Sequence, residues 1–417
     1  MKRSDFEIMA PVGCRESLAA ALAAGADAVY FGVEGLNMRS RSSANFTLAD
    51  LRDITAICSA KGVKTYLTVN TVMYDSDIPL MHKIIDTAKE AGISAIIASD
   101  IAAIIYARSI DMEIHISTQV NITNIDAVRF YSQWADVMVL ARELNMEQVA
   151  AISQAIKTEN ICGPNGKQVG IEMFCHGALC MAVSGKCYMS LHEMNSSANR
   201  GACGQICRRS YRLTDIETGA EIEVDNKYLM SPKDLKTIHF LNKMIDAGVS
   251  VFKIEGRARG PEYVLEVVTA YDQALRAVCD GTYNEEKIKQ WDSRLTKVFN
   301  RGFWDGYYMG QRLGEWSAKY GSSATKVKRY AARAIRYFSK LSVAEFKLEA
   351  GELTPGTEII ITGPTTGAMI ITPQEIRVDL KPVQTVHKGE HFSIAVPAKV
   401  RPSDRLYIWE EVNLKKQ

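Results

Sequence analysis

The sequence predicts an α/β protein: a TIM-like (β/α)8 barrel with a cysteine-rich insert after its seventh strand and a small C-terminal β-barrel domain. Eight apolar runs rich in Val and Ile alternate with amphipathic segments that are long enough for helices. Four cysteines follow the seventh run, between positions 180 and 207. From Lys326 onward the pattern changes to short alternating strands separated by turns that contain Gly or Pro.

The eight runs are typical of parallel strands, because strands that are covered on both faces are apolar throughout. The runs are Phe6–Ala10, Ala26–Phe31, Lys64–Asn70, Ser94–Ser99, Glu113–Gln119, Asp136–Leu140, Gln168–Phe174 and Val249–Glu255. Eight such units close a barrel, and the roughly 280 residues that hold them are within the usual size of one. An open doubly wound sheet is the main alternative, but Ala10-Pro11-Val12-Gly13 lacks the G-x-G-x-x-G turn of a dinucleotide-binding fold.

The chain divides into three regions on this interpretation. We expect a catalytic barrel at 1–280 that includes the cysteine-rich insert 175–212, a helical and aromatic connector at 281–325, and the β domain at 326–417. A net charge of +2, with 24% charged and 47% hydrophobic residues, is typical of a soluble globular protein and neither favours nor excludes a nucleic-acid partner. No stretch resembles a signal peptide or a membrane span, so we expect a cytoplasmic protein without a membrane partner.

Polar residues end or follow most of the eight runs. In a (β/α)8 barrel the chemistry lies at the C-terminal ends of the strands, so these residues predict one polar pocket. The candidates for substrate binding are Arg39, Arg41, Asn70, His115, Gln119, Arg142, Lys253 and Arg257. The candidates for catalysis are Glu172, His176 and Glu255, at the ends of the strands that flank the insert.

The insert contains the strongest motif in the chain. Cys180, Cys187, Cys203 and Cys207 have the spacing C-x6-C-x15-C-x3-C, with glycines beside them that let the backbone bend around a compact ligand. Reduced thiols in such a loop indicate a metal centre, either structural zinc or an iron-sulfur cluster. Zinc sites usually have two close-spaced cysteine pairs, whereas only one half of this motif is close-spaced. The spacing therefore favours iron-sulfur.

The same region carries a resemblance to a known family. The run from Glu172 to Ser190 reads E-x-F-x-x-G-A-L-C-x-x-x-x-G-x-C-x-M-S and matches the signature of the collagenase-like peptidase family U32. Ala10-Pro11-x-Gly13 and the stretch Phe252–Arg257 also resemble that family, so the likeness covers about residues 5–275. The sequence has no G-x-S-x-G elbow and no H-E-x-x-H helix, which leaves a peptidase without a recognisable nucleophile or hydrolytic metal site.

Within the family the chain looks most like the members that hydroxylate tRNA, on stretches such as His115–Asn121 and His176–Ala182. That resemblance implies oxygen-independent conversion of the wobble uridine to 5-hydroxyuridine, with a 4Fe-4S cluster and with prephenate as oxygen donor. On this view the arginines of the pocket would clamp the dicarboxylate prephenate, since a guanidinium pairs with a carboxylate through two bonds. Glu172, His176 and Glu255 would transfer protons or orient the uracil.

Basic residues near the last cysteine and at the start of the β domain are candidate contacts for tRNA. They are Arg208, Arg209, Lys328 and Arg329. For the second pair, a half-buried strand would show the same alternation of basic and apolar residues. Two other functions stay open: a peptidase, as the older family name implies, and a zinc-stabilised RNA-binding scaffold without chemistry. The sequence does not indicate a protein partner.

Overall fold

The structure is a computed structural model, and it describes residues 1–40, 45–209, 211–224, 231–311, 314–318 and 321–412. Within these residues, twelve strands precede the C-terminal sheet: β1 Glu7–Pro11, β2 Ala28–Phe31, β3 Lys64–Val69, β4 Ala95–Ala98, β5 Glu113–Ile116, β6 Val137–Val139, β7 Gly170–Ala178, β8 Tyr211–Thr214, β9 Glu221–Val224, β10 Asp234–Lys236, β11 Val251–Ile254 and β12 Phe303–Trp304. Strands β1 to β7 and β11 run parallel, and β11 pairs with both β1 and β7. The sheet is therefore a closed eight-stranded barrel.

Each of the eight predicted runs overlaps one strand of this barrel, although β1 and β7 extend beyond the ends of their runs, so the predicted fold is confirmed. The barrel interior holds a small apolar cluster that includes Met9, Tyr66 and Ile97, while most of the buried apolar side chains lie between the strands and the helices. Strands that are buried on both faces account for the continuous apolar runs in the sequence.

The part of the chain that the structure describes has ten α-helices beside the strands: α1 Arg15–Ala24, α2 Leu51–Ser59, α3 Ile78–Ala91, α4 Ile101–Ser109, α5 Ile125–Tyr131, α6 Met146–Thr158, α7 Met189–Met194, α8 Leu241–Asp246, α9 Pro261–Cys279 and α10 Glu285–Lys297. Side chains of Asp100, Asn124, Asn145 and Asn284 cap the first turns of four of them by accepting backbone N–H bonds. Among the described residues, no helix is both long enough and apolar enough to cross a bilayer.

The cysteine-rich insert lies between β7 and β10. It contains α7 and the separate hairpin β8–β9, and it returns to the barrel wall where β10 pairs antiparallel with the end of β7. Strand β12 then pairs with β10 and extends the wall outward. This return anchors both ends of the insert to β7, which holds the four cysteines at the C-terminal side of the barrel.

A separate antiparallel sheet follows, with its own buried core. Its strands are β13 Lys326–Phe338, β14 Val343–Leu348, β15 Ile359–Gly363, β16 Gly367–Ile371, β17 Arg377–Val378, β18 Lys381–Pro382, β19 His391–Ala395 and β20 Arg405–Glu411. Three of its side chains, Ile360, Ala368 and Trp409, join the core of the barrel helices instead. The sheet is thereby packed onto the barrel.

Candidate active site at the barrel mouth

A cavity that opens to solvent lies between the C-terminal ends of the barrel strands and the insert, and its empty space, counted together with part of the open solvent at its mouth, is about 1220 Å³. Residues from most barrel strands meet there with residues of the insert, as expected for this fold. The sequence-predicted residues that line it are Arg39, Asn70, Gln119, Arg142, Lys253, Glu255, Arg257, Arg208, Cys180, Cys187, Cys203 and Cys207.

A buried ionic group forms the floor below this cavity. Glu172 has no solvent exposure; one carboxylate oxygen lies 2.5 Å from Lys253 Nζ and the other 3.2 Å from His115 Nδ1. Burial opposes the charge on Glu172, but Lys253 and His115 outweigh burial and lower the pKa of the carboxyl. Burial likewise opposes the charge on His115, yet Glu113 and Glu172 raise its pKa to about 9. Glu172 and His115 are therefore positioning elements beneath the cavity and do not line it.

Glu255 and Arg39 form an ion pair on the cavity wall, with 2.9 Å between Arg39 Nη2 and Glu255 Oε1. Burial raises the pKa of the Glu255 carboxyl, but Arg39, Arg259 and Arg142 together lower it below its usual value. Glu255 is consequently an ionised carboxylate at neutral pH and can act as a proton acceptor.

Two other arginines of the cavity have no carboxylate partner among the described residues. Arg257, 7% exposed, donates to Asn37 Oδ1 at 3.1 Å and to Thr68 Oγ1 at 2.9 Å. Arg142 donates to the carbonyl of Ala178 at 3.1 Å and stacks 3.8 Å above the Phe174 ring. Burial lowers the pKa of Arg257 to about 10, which still leaves it charged at neutral pH. Glu255 acts electrostatically on both arginines, but neither donates a hydrogen bond to a carboxylate in the described part of the chain, and donors left in this way favour binding of an anion.

Several buried polar atoms beside these arginines also have no hydrogen-bond partner in the described part of the chain. Those that belong to residues lining the cavity are Thr118 Oγ1, Gln119 Oε1, Asn199 Oδ1 and Arg142 Nε. An unsatisfied buried polar group is costly, and a polar ligand would supply the missing bonds. The cavity therefore combines positive charge with open hydrogen-bonding positions.

The four cysteines of the motif line the same cavity. Cys180 is exposed and the other three are partly buried. Burial raises the pKa of the Cys207 thiol; Arg208 opposes that rise, whereas the other three cysteines add to it. In the residues that the structure covers, no three His, Cys, Asp or Glu side chains are arranged to chelate a metal ion. The donor set, four thiols facing one cavity, suits an iron-sulfur cluster or zinc by its chemistry.

Arg208 holds the end of the cysteine motif in place. Its Nη1 donates to Ser231 Oγ at 2.9 Å and to the carbonyl of Pro232 at 2.6 Å, while Nη2 donates to the carbonyl of Leu179 at 2.6 Å. These bonds tie the residue after Cys207 to the residue before Cys180. Arg208 therefore has a positioning role in addition to its predicted role at an RNA surface.

His176 lies apart from the cavity, although it was predicted to be catalytic. It is 1% exposed and packs against Tyr263, Tyr271 and Phe303, outside the barrel wall. The pairing of β7 with β11 shifts register between Lys253 and Ile254, and this bulge turns His176 away from the interior. Burial lowers its pKa to about 3, so the imidazole is neutral.

The other residues that were predicted to contact RNA do not line the cavity, and two of them form ion pairs within the protein. Lys328 lies 2.8 Å from Glu262, and Arg329 lies 3.2 Å from Glu410. Arg209 lies at the surface of the insert, with its guanidinium 3.9 Å from Met194 Sδ. Arg41 lies outside the described residues.

Sequence reasoning missed other residues that line the cavity. Tyr30 and Thr68 are polar residues within apolar runs, and that interruption is a signal that could have found them. Asn199 comes from the insert, where no periodicity exists to place it.

Comparison with known proteins identifies the family. A sequence model of Peptidase family U32 matches residues 13–318. The chain belongs to peptidase family U32. The U32 relatives include a protein named Collagenase from Porphyromonas gingivalis, which is 64% identical over 99% of both chains. They also include tRNA hydroxylation protein P1 of Bacillus subtilis, which is 33% identical over 75% of this chain and 74% of its own.

A third U32 relative acts on a different RNA by its name. The 23S rRNA 5-hydroxycytidine synthase of Escherichia coli is 33% identical over 74% of this chain and 46% of its own. The predicted membership of U32 and the predicted likeness to its tRNA-hydroxylating members are thus confirmed.

Proposed function

We propose that this chain is an RNA-modifying enzyme that hydroxylates a pyrimidine, namely the wobble uridine of tRNA, to 5-hydroxyuridine with prephenate as oxygen donor. The observation that carries the proposal is the cavity itself, which is lined by four cysteines together with the buried Arg257 and the partly buried Arg142, neither of which is hydrogen-bonded to a carboxylate among the described residues. Two relatives that span much of the chain are named for hydroxylation of tRNA or for synthesis of 5-hydroxycytidine in rRNA. Their names support an RNA pyrimidine as substrate.

Replacing a ring C–H by C–OH removes two electrons and one proton from the base, so these two electrons must be taken up by the oxygen donor itself or passed through a redox centre to an external electron acceptor. Cys180, Cys187, Cys203 and Cys207 are the residues that would hold a 4Fe-4S cluster. When bound, such a cluster supplies electron-transfer chemistry beside the cavity. Glycines near the cysteines allow the close backbone approach that a compact ligand requires; Gly185 and Gly201 both have positive φ angles.

The arginines suit a small dicarboxylate. Arg257 and Arg142 carry charge with no described carboxylate partner, and each retains donors that can face an anion. Two carboxylates therefore match two available guanidinium groups. Prephenate is a dicarboxylate, so binding it would neutralise both.

The remaining polar atoms suit a pyrimidine. A uracil edge presents one N–H donor, which the unpaired amide oxygen of Gln119 or Asn199 can accept, and carbonyl acceptors, to which the Thr118 hydroxyl can donate; all three oxygens are buried without a partner in the described chain. Glu255, kept ionised by its arginine neighbours, is the group that would accept the proton lost from the ring. Glu172 would hold the Lys253 side chain in place at the floor of the cavity.

A peptidase is the second candidate, because the relative with 64% identity is named Collagenase. Among the described residues, however, no histidine side chain is hydrogen-bonded to a serine or cysteine: His115 contacts Glu172 and His176 contacts Tyr271. A nucleophile activated by histidine is therefore missing from the described site. A zinc-stabilised RNA-binding scaffold remains the third candidate.

One set of assays separates the three candidates. Protein purified without oxygen should contain about four irons and four sulfides per chain. With prephenate and unmodified tRNA it should form 5-hydroxyuridine, detected by mass spectrometry of nucleosides. Cys203→Ala should lose both properties, whereas Cys162→Ala, a partly exposed cysteine outside the cavity, should keep them. Cleavage of collagen without 5-hydroxyuridine would establish the peptidase, and stoichiometric zinc without sulfide would establish the scaffold.

A further inference from the structure

Several exposed apolar and aromatic side chains belong to the segments that surround the mouth of the cavity. Tyr188 is 75% exposed and Tyr74 is 58% exposed, which makes them the two most exposed aromatic side chains in the described part of the chain. Smaller exposed apolar residues lie near them in sequence: Val72, Met181, Val183, Leu191 and Met194. Such a group of apolar surfaces beside a cavity marks an interaction site.

Both tyrosines belong to segments at the cavity rim. Tyr188 lies between Cys187 and Met189, which both line the cavity, while its own side chain faces solvent. Tyr74 belongs to the loop after β3, and the loop is joined to the insert by a 3.1 Å bond from the Val72 N–H to the carbonyl of Asn199. Asn199 also lines the cavity. The two rings therefore come from different segments that meet at one opening.

Arg200 covers the Tyr74 ring, with its guanidinium carbon 4.0 Å from the ring centroid. The guanidinium is held by the carboxylate of Asp77 and by a 2.9 Å bond to the carbonyl of Val72. A fixed arginine against an aromatic ring forms a flat, positively charged stack. The exposed remainder of the ring is available to a planar partner.

The charge close to the four cysteines indicates what that partner is. The whole chain has 50 basic and 48 acidic residues, whereas segment 179–212 has five basic residues and only Glu193 as an acidic one; the acidic residues Asp215, Glu217, Glu221 and Glu223 lie further along, in the β8–β9 hairpin. The five basic residues are Lys186, Arg200, Arg208, Arg209 and Arg212. An occupant that is polyanionic and also presents flat apolar rings matches both properties, and single-stranded nucleic acid is that chemistry.

We propose that Tyr74 and Tyr188 stack on the unpaired bases that flank the modified nucleotide, so that this rim selects a single-stranded RNA loop over a duplex. The inference rests on the proposed function and names how its substrate is recognised. A base can enter the cavity only when it has left its helical stack, and its neighbours then expose ring faces. Aromatic platforms compensate for the lost stacking without reading sequence.

Binding of two RNA probes to the full-length protein tests the proposal. The probes are a hairpin with an unpaired uridine-containing loop and a blunt duplex of the same stem, measured by fluorescence anisotropy. Tyr74→Ala and Tyr188→Ala should each weaken hairpin binding about fivefold to a hundredfold, since that is the range measured for one stacked base. Duplex binding should be unchanged. Tyr188→Phe should retain the wild-type affinity because the ring remains.

Phe130→Ala is the matched control, since Phe130 is a 52% exposed aromatic residue on the outer helix α5. It should bind both probes like the wild type. If the wild type binds the hairpin and forms 5-hydroxyuridine while both alanine variants keep full affinity, the rim proposal alone is overturned. Equal weakening for hairpin and duplex also overturns it. A wild type that binds neither probe overturns it together with the proposed function.

Discussion

Arg257 and Arg39 line the same cavity, but they have different partners. Replacing Arg39 leaves a carboxylate without its ion-pair partner, whereas replacing Arg257 does not. Arg257 bonds only neutral oxygens among the described residues, whereas Arg39 neutralises the largely buried Glu255. We expect Arg257→Gln to raise the KM for prephenate about tenfold to a hundredfold, the value of one charged hydrogen bond, with little loss of stability. Arg39→Gln should also destabilise the fold, because it leaves Glu255 without its ion-pair partner.

Steady-state kinetics and urea unfolding of the two variants measure both effects. Arg276→Gln, at an exposed position on α9, provides the control for loss of one positive charge. A normal KM for prephenate in Arg257→Gln would remove Arg257 from the donor site.

His115 should make the stability of the protein depend on pH. Its pKa is raised from an ordinary 6.5 to about 9, because Glu113 and Glu172 outweigh the effect of burial. A raised pKa in the native state means that the stabilisation is fully present below pH 6.5 and is lost as the pH rises through about 9. The wild type should lose up to about 1.4 kcal/mol of unfolding free energy per pH unit in that window.

The His115→Gln variant should lack this slope. Burial lowers the pKa of Lys253 and so acts in the opposite direction, but Lys253 is present in both proteins and largely cancels in the comparison. Urea unfolding between pH 6 and pH 9, a range set by these pKa values, measures the two slopes. Parallel slopes would show that His115 does not gain a proton on folding.

At the scale of elements, the insert depends on a close contact at Gly201. This residue has φ +78°, and a Cβ atom there would lie 2.2 Å from Ser40 Oγ and 2.3 Å from the carbonyl oxygen of Asn37. We expect Gly201→Ala to push the insert away from the loop that carries Arg39 and to disturb nearby Cys203. Labelling of thiols in metal-free protein should then be several-fold faster at Cys203.

Gly219→Ala separates contact from backbone strain. Gly219 has φ +70° in the same insert, and a Cβ atom there would meet nothing within 4 Å. The Gly219→Ala variant should therefore show the wild-type rate of thiol labelling at Cys203. Equal labelling rates in both variants would mean that the Gly201 contact does not hold the insert.

The sequence could predict the strands better than the direction of single side chains. All eight barrel strands follow from apolar runs, because burial on both faces leaves a local mark in the sequence. The bulge in β7 has no comparable signal in the sequence, because the extra residue is a cysteine and not Gly or Pro. Simple alternation along the strand therefore placed His176 in the pocket. The ion pairs of Lys328 and Arg329 were likewise not readable, because their partners lie far along the chain.

At the scale of the whole molecule, the C-terminal sheet depends on one close approach to the barrel. Gly367 begins β16 and lies against α1, where a Cβ atom would be 2.7 Å from the backbone nitrogen of Ala20. Backbone atoms of a helix cannot move aside, so the sheet would have to shift. That shift would disturb the shared core around Ile360 and Trp409 and the ion pair between Lys328 and Glu262.

We therefore expect Gly367→Ala to lower the free energy of unfolding by about 1–3 kcal/mol through overpacking. A second loss of roughly 1–2 kcal/mol comes from the left-handed backbone conformation, which is unfavourable for any non-glycine residue. Gly389→Ala bears only the second loss, because Gly389 has φ +97° in the turn before β19 of the same domain and a Cβ atom there meets nothing within 4 Å. Urea unfolding and limited proteolysis of both variants measure the difference. Equal stabilities would mean that the sheet is not held to the barrel through this contact, whereas a selective loss in Gly367→Ala would show that barrel and sheet unfold as coupled parts.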